Sequence, residues 1–109
     1  MKVLVKNAAH KMMPQQAAIL TAAGWAGDVY DVPEVGLNLA QMGEVVNGWV
    51  ANGVTPVFMS PIAALMALCQ GRVRYQVLHN DKREAREFRN PDGTTVIRHV
   101  VAADGWQLV

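Results

Sequence analysis

Three short segments place polar or basic side chains where predicted strands end. In open parallel sheets, ligands bind beyond the carboxyl ends of the strands. The predicted helix that starts at Ser60 would direct free backbone N–H groups and about half a unit of positive charge at a ligand. Ser60 adds a hydroxyl group to this helix start, and Lys82 and Arg83 add full positive charges. We therefore predict a phosphodiester-binding site formed by Asn7, His10, Ser60, Pro61, Asn80, Asp81, Lys82, Arg83 and Arg86.

Each of these residues also has a purely structural interpretation. Serine is a favoured N-cap, so Ser60 can serve as a plain helix cap. Asn7 and Asn80 can be turn residues that satisfy their own backbone. The basic residues near the C-terminus alternate with acidic ones, a pattern that is also typical of solvated strands. The sequence leaves these alternatives open.

Other catalytic chemistries find little support. The chain lacks the glycine-rich motifs of P-loop and dinucleotide-binding proteins and the G-x-S-x-G motif of serine hydrolases. His10, His79 and His99 lack the short spacing of metal ligands, and the single Cys69 excludes a cysteine-rich zinc site. We predict no metal site and no cofactor.

The candidate residues depend on an alternating order of strands and helices. Alternating β-branched and apolar residues predict strands, whereas apolar residues on one helical face predict helices. The predicted strands are 2–7, 28–32, 55–59, 73–79, a hairpin of 84–89 and 94–101, and 106–109. The predicted helices begin at Pro14, at residue 37 and at Ser60. The first ends at Gly24, the second extends to residue 50 and is terminated by Gly53, and the third ends at Gly71.

Strands separated by helices favour a mostly parallel sheet with helices on its faces. Asn90-Pro91-Asp92-Gly93 is a strong turn signal between the two late strands. We predict a small Rossmann-like α/β domain with a C-terminal antiparallel β-hairpin, and the 109 residues suit a single domain over residues 1–109.

The content and placement of charged residues limit the kinds of partner that the protein is expected to bind. Charged residues make up 17% of the chain and the net charge is +1, so a DNA-coating protein is not expected. Residues 1–71 carry three lysines and four acidic residues, and residues 72–109 carry seven basic and five acidic residues. The excess positive charge therefore lies in the C-terminal third and permits a local anion site. Low charge content also fits a surface covered by a partner chain.

The compartment is predicted from what the sequence lacks. No apolar run reaches the roughly 18 residues of a membrane span, and the apolar stretch near Met1 is too short for a signal peptide. One cysteine excludes a disulfide framework. We expect a cytoplasmic protein without a membrane partner.

The chain resembles a known family at both ends. Val3-Leu4-Val5-Lys6-Asn7-Ala8-Ala9-His10, followed by Pro14-Gln15-Gln16, is similar to the start of small CRISPR-associated ring-nuclease-like proteins. The segments 29–33, 80–84 and 90–94 resemble their second strand, strand-four loop and terminal hairpin. The similarity covers about two-thirds of the chain through short motifs. One departure is Met13, where the family usually has threonine at the helix start.

The resemblance implies a homodimer related to the proteins that sense cyclic oligoadenylate in antiviral signalling. The ring, expected to be cyclic tetra-adenylate, would bind across the dimer interface and be cleaved without metal. A two-fold symmetric ligand is matched by an isologous dimer. Cleavage would need mainly positioning of a ribose 2′-hydroxyl in line with its own phosphate.

In that interpretation Lys82 or Arg83 stabilises the developing charge, and His10 transfers a proton. Two alternatives stay open: a non-catalytic protein that sequesters the same ring, and a protein-interaction module without a nucleotide ligand. The sequence does not separate them.

Overall fold

The computed structural model describes all residues from Met1 to Val109. It contains three helices and seven strands. In chain order these are β1 (Lys2–Asn7), α1 (Pro14–Ala22), β2 (Val29–Val32), α2 (Leu39–Asn52), β3 (Thr55–Phe58), α3 (Ala63–Cys69), β4 (Gln76–His79), β5 (Arg83–Arg89), β6 (Thr95–Val101) and β7 (Gln107–Leu108).

The main sheet has five strands in the order β2-β1-β3-β4-β7. The first four strands are parallel, and β7 joins the edge of β4 in the antiparallel direction. Strand β2 lies on one side of β1, and β3 lies on the other side. The direction in which successive strands are added therefore reverses between β1 and β3. The predicted α/β architecture is confirmed, including the separate antiparallel hairpin of β5 and β6.

Both faces of the sheet are covered, because alternate strand residues point to opposite sides. On β1, Val5 joins a buried cluster with α2 and α3, and its neighbour Leu4 joins a second cluster that includes Leu20 of α1. On β3, Phe58 and Val57 divide in the same way. The continuous apolar composition of β3 suits its position inside the sheet, between β1 and β4.

The helix ends follow the glycines. Gly53 ends α2 in the left-handed conformation with φ of 63°, as its position after the apolar face predicted. At the other end of α2, the Asn38 side chain accepts a hydrogen bond from the Gln41 backbone N–H at 2.8 Å. The Asn38 cap gives α2 its observed start at Leu39, two residues later than predicted.

The prediction that a helix begins at Ser60 is wrong. Helix α3 begins at Ala63, and Ile62 occupies the N-cap position without a side-chain hydrogen bond. The predicted phosphate site on a helix N-terminus at Ser60 is therefore not formed. The Ser60 hydroxyl instead bonds to the segment that follows β1.

Strand β4 is also shorter than predicted. Its pairing with β3 begins at Gln76, opposite Val57, so residues 73–75 precede the strand. Tyr75 packs edge-on against Phe58 with ring centroids 5.7 Å apart. The alternating pattern of residues 73–79 thus combines a packed lead-in segment with a four-residue strand.

The hairpin of β5 and β6 matches its predicted position and turn, with Gly93 at φ of 87°. It forms a sheet of its own. None of the three helices is long and apolar enough to cross a membrane.

Candidate functional site

The strongest candidate site lies where β1 and β3 end. The two strands are adjacent and parallel, with Val5 opposite Phe58. Beyond this pair, the Met59 backbone N–H donates to the Val5 carbonyl at 2.9 Å. The register therefore carries the residues that follow each strand to the same edge of the sheet. This edge lies at the reversal of winding, the usual location of ligand sites in open α/β sheets.

A tight turn brings His10 back over the end of β1. The Asn7 side-chain oxygen accepts from the Ala9 backbone N–H at 2.9 Å, and the His10 N–H donates to the Asn7 carbonyl at the same distance. Lys6 holds the turn from outside, because its ammonium donates to the His10 carbonyl at 3.1 Å. Asn7 is thus the turn residue of the structural alternative, and its turn positions the imidazole.

His10 and Ser60 form the central pair of the site. The His10 Nδ1 lies 2.7 Å from the Ser60 Oγ, which also accepts from the Asn7 backbone N–H at 3.3 Å. Ser60 is 9% exposed, so its hydroxyl is held in place by the surrounding structure. Nε2 lies on the other side of the imidazole ring, away from Ser60. A fixed imidazole with one free nitrogen is suited to proton transfer.

The pair lines an open cleft of about 590 Å³. His10 and Lys11 supply its polar and positively charged wall, and Trp106 supplies a large aromatic surface. The complete lining is Ala9, His10, Lys11, Met13, Gln16, Met59, Ser60, Pro61, Val101 and Trp106. The combination of a cation, a proton-transfer pair and an aromatic ring fits a ligand with phosphate groups and flat bases.

Helix α1 contributes Gln16 to the lining of the cleft. Met13 caps the helix without a side-chain hydrogen bond, and the buried Gln16 side chain accepts from the Met13 backbone N–H at 2.8 Å. The neighbouring Gln15 side chain accepts from the Trp106 backbone N–H at 3.1 Å. Gln15 therefore connects α1 to the segment that carries Trp106, whereas Gln16 holds the start of the helix.

The segment after β4 does not reach the cleft. Asn80 is 7% exposed, and its side-chain nitrogen donates to the carbonyls of Ala102 at 3.0 Å and Asp104 at 2.7 Å. Its side-chain oxygen accepts from the Lys82 backbone N–H at 2.9 Å. The bond to Lys82 is the local turn contact of the structural alternative, and the bonds to Ala102 and Asp104 hold the segment after β4 against the loop between β6 and β7.

The basic residues beyond Asn80 have partners outside the cleft. Lys82 pairs with Asp104 at 2.9 Å, and this hydrogen bond and charge hold the pKa of the Asp104 carboxyl below its ordinary value. The Arg83 guanidinium donates to the carbonyls of Asn80 at 2.9 Å and Lys82 at 3.2 Å. Neither Lys82 nor Arg83 lines the cleft that contains the His10–Ser60 pair.

Asp81 is exposed after β4, and Arg86 lies on β5, where it pairs with Glu84. Neither residue lines the cleft. Of the predicted site residues, the structure brings together Asn7, His10, Ser60 and Pro61.

Sequence reasoning missed Lys11, Gln16 and Trp106 in the cleft. Lys11 directly follows His10, so its position was the available signal for a cation at this edge. Trp106 carried no comparable signal, because it reaches the cleft from the far end of the chain. No group of three or more histidine, cysteine or acidic residues is arranged to hold a metal ion.

Compared with protein-family models, curated proteins and solved structures, the chain matches none of them. The resemblance to ring-nuclease-like proteins stays a prediction that rests on the motifs of the sequence.

Proposed function

We propose that the chain binds a cyclic oligoadenylate in the cleft and cleaves it without a metal ion, as a cytoplasmic homodimer related to the ring-nuclease-like family. The observation that carries this proposal is the His10–Ser60 pair, held at 2.7 Å beside an open cleft at the reversal of winding. The cleft lining is compatible with the ligand. Lys11 can neutralise a phosphate, and Trp106 offers a surface on which an adenine can stack.

Cleavage follows from positioning and one proton-transfer group. The ribose 2′-oxygen forms a bond to its neighbouring phosphorus, and the bond from phosphorus to the 5′-oxygen breaks. The products are a 2′,3′-cyclic phosphate and a 5′-hydroxyl. His10 accepts the proton of the 2′-hydroxyl at Nε2, the 5′-oxygen takes a proton from water, and His10 then returns its proton to the hydroxide so formed. Ser60 positions the imidazole by its bond to Nδ1.

In this scheme Lys11 takes the electrostatic role that the sequence assigned to Lys82 or Arg83. It is the cationic side chain that lines the cleft, whereas Lys82 is paired with Asp104. A charge-assisted contact to phosphate is roughly twice as strong as a neutral hydrogen bond. Lys11 therefore binds the ring and stabilises charge on the phosphate as the new bond forms.

The first experiment follows the cleavage of labelled cyclic tetra-adenylate under single-turnover conditions in EDTA. We expect the wild-type protein to release a product with a 2′,3′-cyclic phosphate. His10→Ala should retain ring binding and lose about 100-fold to 10,000-fold in rate, the usual contribution of a general acid or base. The matched control is His79→Ala, since His79 is an exposed histidine outside the cleft lining.

The other outcomes select the alternatives. If the protein binds the ring tightly and reversibly and the ring is recovered intact, the protein sequesters the ring and does not cleave it. A melting temperature that no cyclic oligoadenylate of any ring size raises would overturn the nucleotide proposal and favour a protein-interaction module.

A further inference from the structure

The β5–β6 hairpin lacks the burial that ordinarily holds a two-stranded sheet together. No residue of either strand is buried, and the hairpin makes no ladder with the main sheet. An isolated two-stranded hairpin is at best marginally stable in water. The hairpin therefore needs a surface to pack against.

The register divides the hairpin into two different faces, because directly opposite residues share a face. On one face, the Arg98 guanidinium lies over the Phe88 ring at 5.7 Å, and Arg86 pairs with Glu84. Arg98 covers part of the Phe88 ring, which is 38% exposed.

The opposite face leaves its largest apolar residue open. It consists of Arg83, Ala85, Glu87, Arg89, Thr95, Ile97, His99 and Val101, and we call it the Ile97 face. Ile97 is 70% exposed at its centre. Val101 at its base lines the cleft. The face therefore runs without a break from the candidate site toward the tip of the hairpin.

The radius of gyration and the accessible surface of the molecule are both larger than expected for a compact monomer of its length and mass. The radius of gyration is 16.1 Å, whereas a compact chain of this length is expected near 13 Å. The accessible surface is 6803 Å², and a compact monomer of 11.9 kDa is expected to expose about 5,950 Å². The excess of about 850 Å² matches the roughly 800 Å² that each partner contributes to a standard interface.

We propose that the Ile97 face is the surface through which two copies of this chain form a dimer. A second copy supplies the same excess surface, so a two-fold dimer covers both hairpins with one type of contact. The charges on the face suit such self-pairing. Arg83 and Arg89 flank Glu87, so each copy presents both signs to the other. Ile97 is the apolar anchor of the contact.

The position of Val101 gives this interface a role in the site. Because the Ile97 face begins at a residue that lines the cleft, a second copy seated on it lies beside the cleft opening. This inference specifies the interface of the proposed homodimer, and only its link to the ring rests on the proposed function. Dimer formation itself needs no ligand.

Sedimentation of the free protein tests the interface. We expect the wild-type chain to sediment at twice its mass of 11.9 kDa. Ile97→Lys should raise the dimer dissociation constant about tenfold or more, as at a central interface residue. The new lysine lies opposite Glu87, and this opposite-charge pair stabilises the hairpin. Its charge disrupts the apolar contact with the second copy. Val35→Lys is the control, because Val35 is 97% exposed on another part of the surface and should leave the dimer unchanged.

A wild-type monomer at every concentration, or an Ile97→Lys protein that remains as dimeric as the control, would overturn the proposal. Hydrogen exchange on the wild-type chain provides a test without any variant. The backbone amides of β5 and β6 should exchange more slowly as protein concentration rises through the dissociation constant. Equal exchange at all concentrations would again overturn it. No ring is present in either experiment, so failure of the interface and failure of ring cleavage are distinguishable.

Discussion

The hydroxyl of Ser60 illustrates how one side chain can have a role that its local sequence does not reveal. Ser60-Pro61 has the composition of a helix start, yet the hydroxyl bonds to Asn7 and His10, which are more than 49 positions earlier in the chain. A contact between such distant residues depends on the register of β1 and β3. The sequence could place both residues at strand ends, but it could not choose between a helix cap and a partner for the imidazole.

We expect Ser60→Ala to affect stability and catalysis to different extents. Loss of the hydroxyl leaves the Asn7 N–H without its acceptor, which should lower the free energy of unfolding by about 1–3 kcal/mol. The variant should still cleave the ring, more slowly than wild type, because His10 stays in place and loses only its positioning partner. Urea denaturation and single-turnover cleavage measure the two effects.

A nitrogen-15 NMR spectrum of the His10 ring distinguishes positioning from a simple loss of stability. The Nδ1 signal should shift in Ser60→Ala, because this nitrogen loses its hydrogen-bond partner. A loss of rate in Ser60→Ala as large as that in His10→Ala would contradict a role for Ser60 that is limited to positioning.

At the scale of elements, the loop between β6 and β7 is held more tightly than its turn-like sequence suggests. Asp104-Gly105 predicts only a turn. In the structure this turn packs on the segment after β4, with Asn80 bonded to the Asp104 carbonyl. A β-carbon on Gly105 would lie 3.1 Å from the Asn80 side-chain oxygen and 3.2 Å from the β-carbon of Lys82.

Two glycine substitutions separate backbone strain from this packing. Gly53 and Gly105 have φ of 63° and 85°, and a β-carbon at Gly53 would meet no atom within 4 Å. Gly53→Ala should cost about 1 kcal/mol from the left-handed backbone alone. Gly105→Ala should cost at least about 1 kcal/mol more, because the Asn80 hydrogen bonds must shift. Chemical denaturation of both variants measures the difference, and equal costs would show that the loop is not tightly packed.

Element prediction succeeded where the pattern was local and failed where pairing was distant. The hairpin was predicted from its own turn residues, 90–93, and α2 from its own apolar face. The antiparallel addition of β7 to β4 joins Leu108 to Leu78 and has no local signal. The same non-local step delivers Trp106 to the cleft, which explains why the sequence predicted His10, Ser60 and Pro61 of the lining but not its aromatic wall.

At the scale of the whole molecule, stability resides in the layered body and not in the hairpin. The body has a core on each face of the sheet, and Phe58 lies at the centre of the larger one, in edge-on contact with Trp49 at 6.3 Å. The hairpin contributes no buried residue. The molecule is accordingly elongated, with extents of 53, 32 and 22 Å.

Substitution of each of the two phenylalanines of the chain tests whether stability resides in the layered body and not in the hairpin. Phe58 is fully buried in the body, and Phe88 is 38% exposed on the hairpin. Phe58→Ala should lower the free energy of unfolding by about 3–5 kcal/mol. Phe88→Ala should cost about 1 kcal/mol or less, since it removes mainly an exposed contact with Arg98. Thermal and urea unfolding compare the two, and a similar cost at both positions would contradict the division.

Cys69 gives the molecule a practical property for measuring its own assembly. It is the single cysteine of the chain, it has no exposed surface, and burial raises the pKa of its thiol. Reactive cysteines are exposed and have lowered pKa values, so this thiol is inert toward labelling reagents. A cysteine introduced in the exposed turn of the hairpin, as in Pro91→Cys, would carry the only spin label in each chain. Electron paramagnetic resonance would then report the distance between two such labels directly.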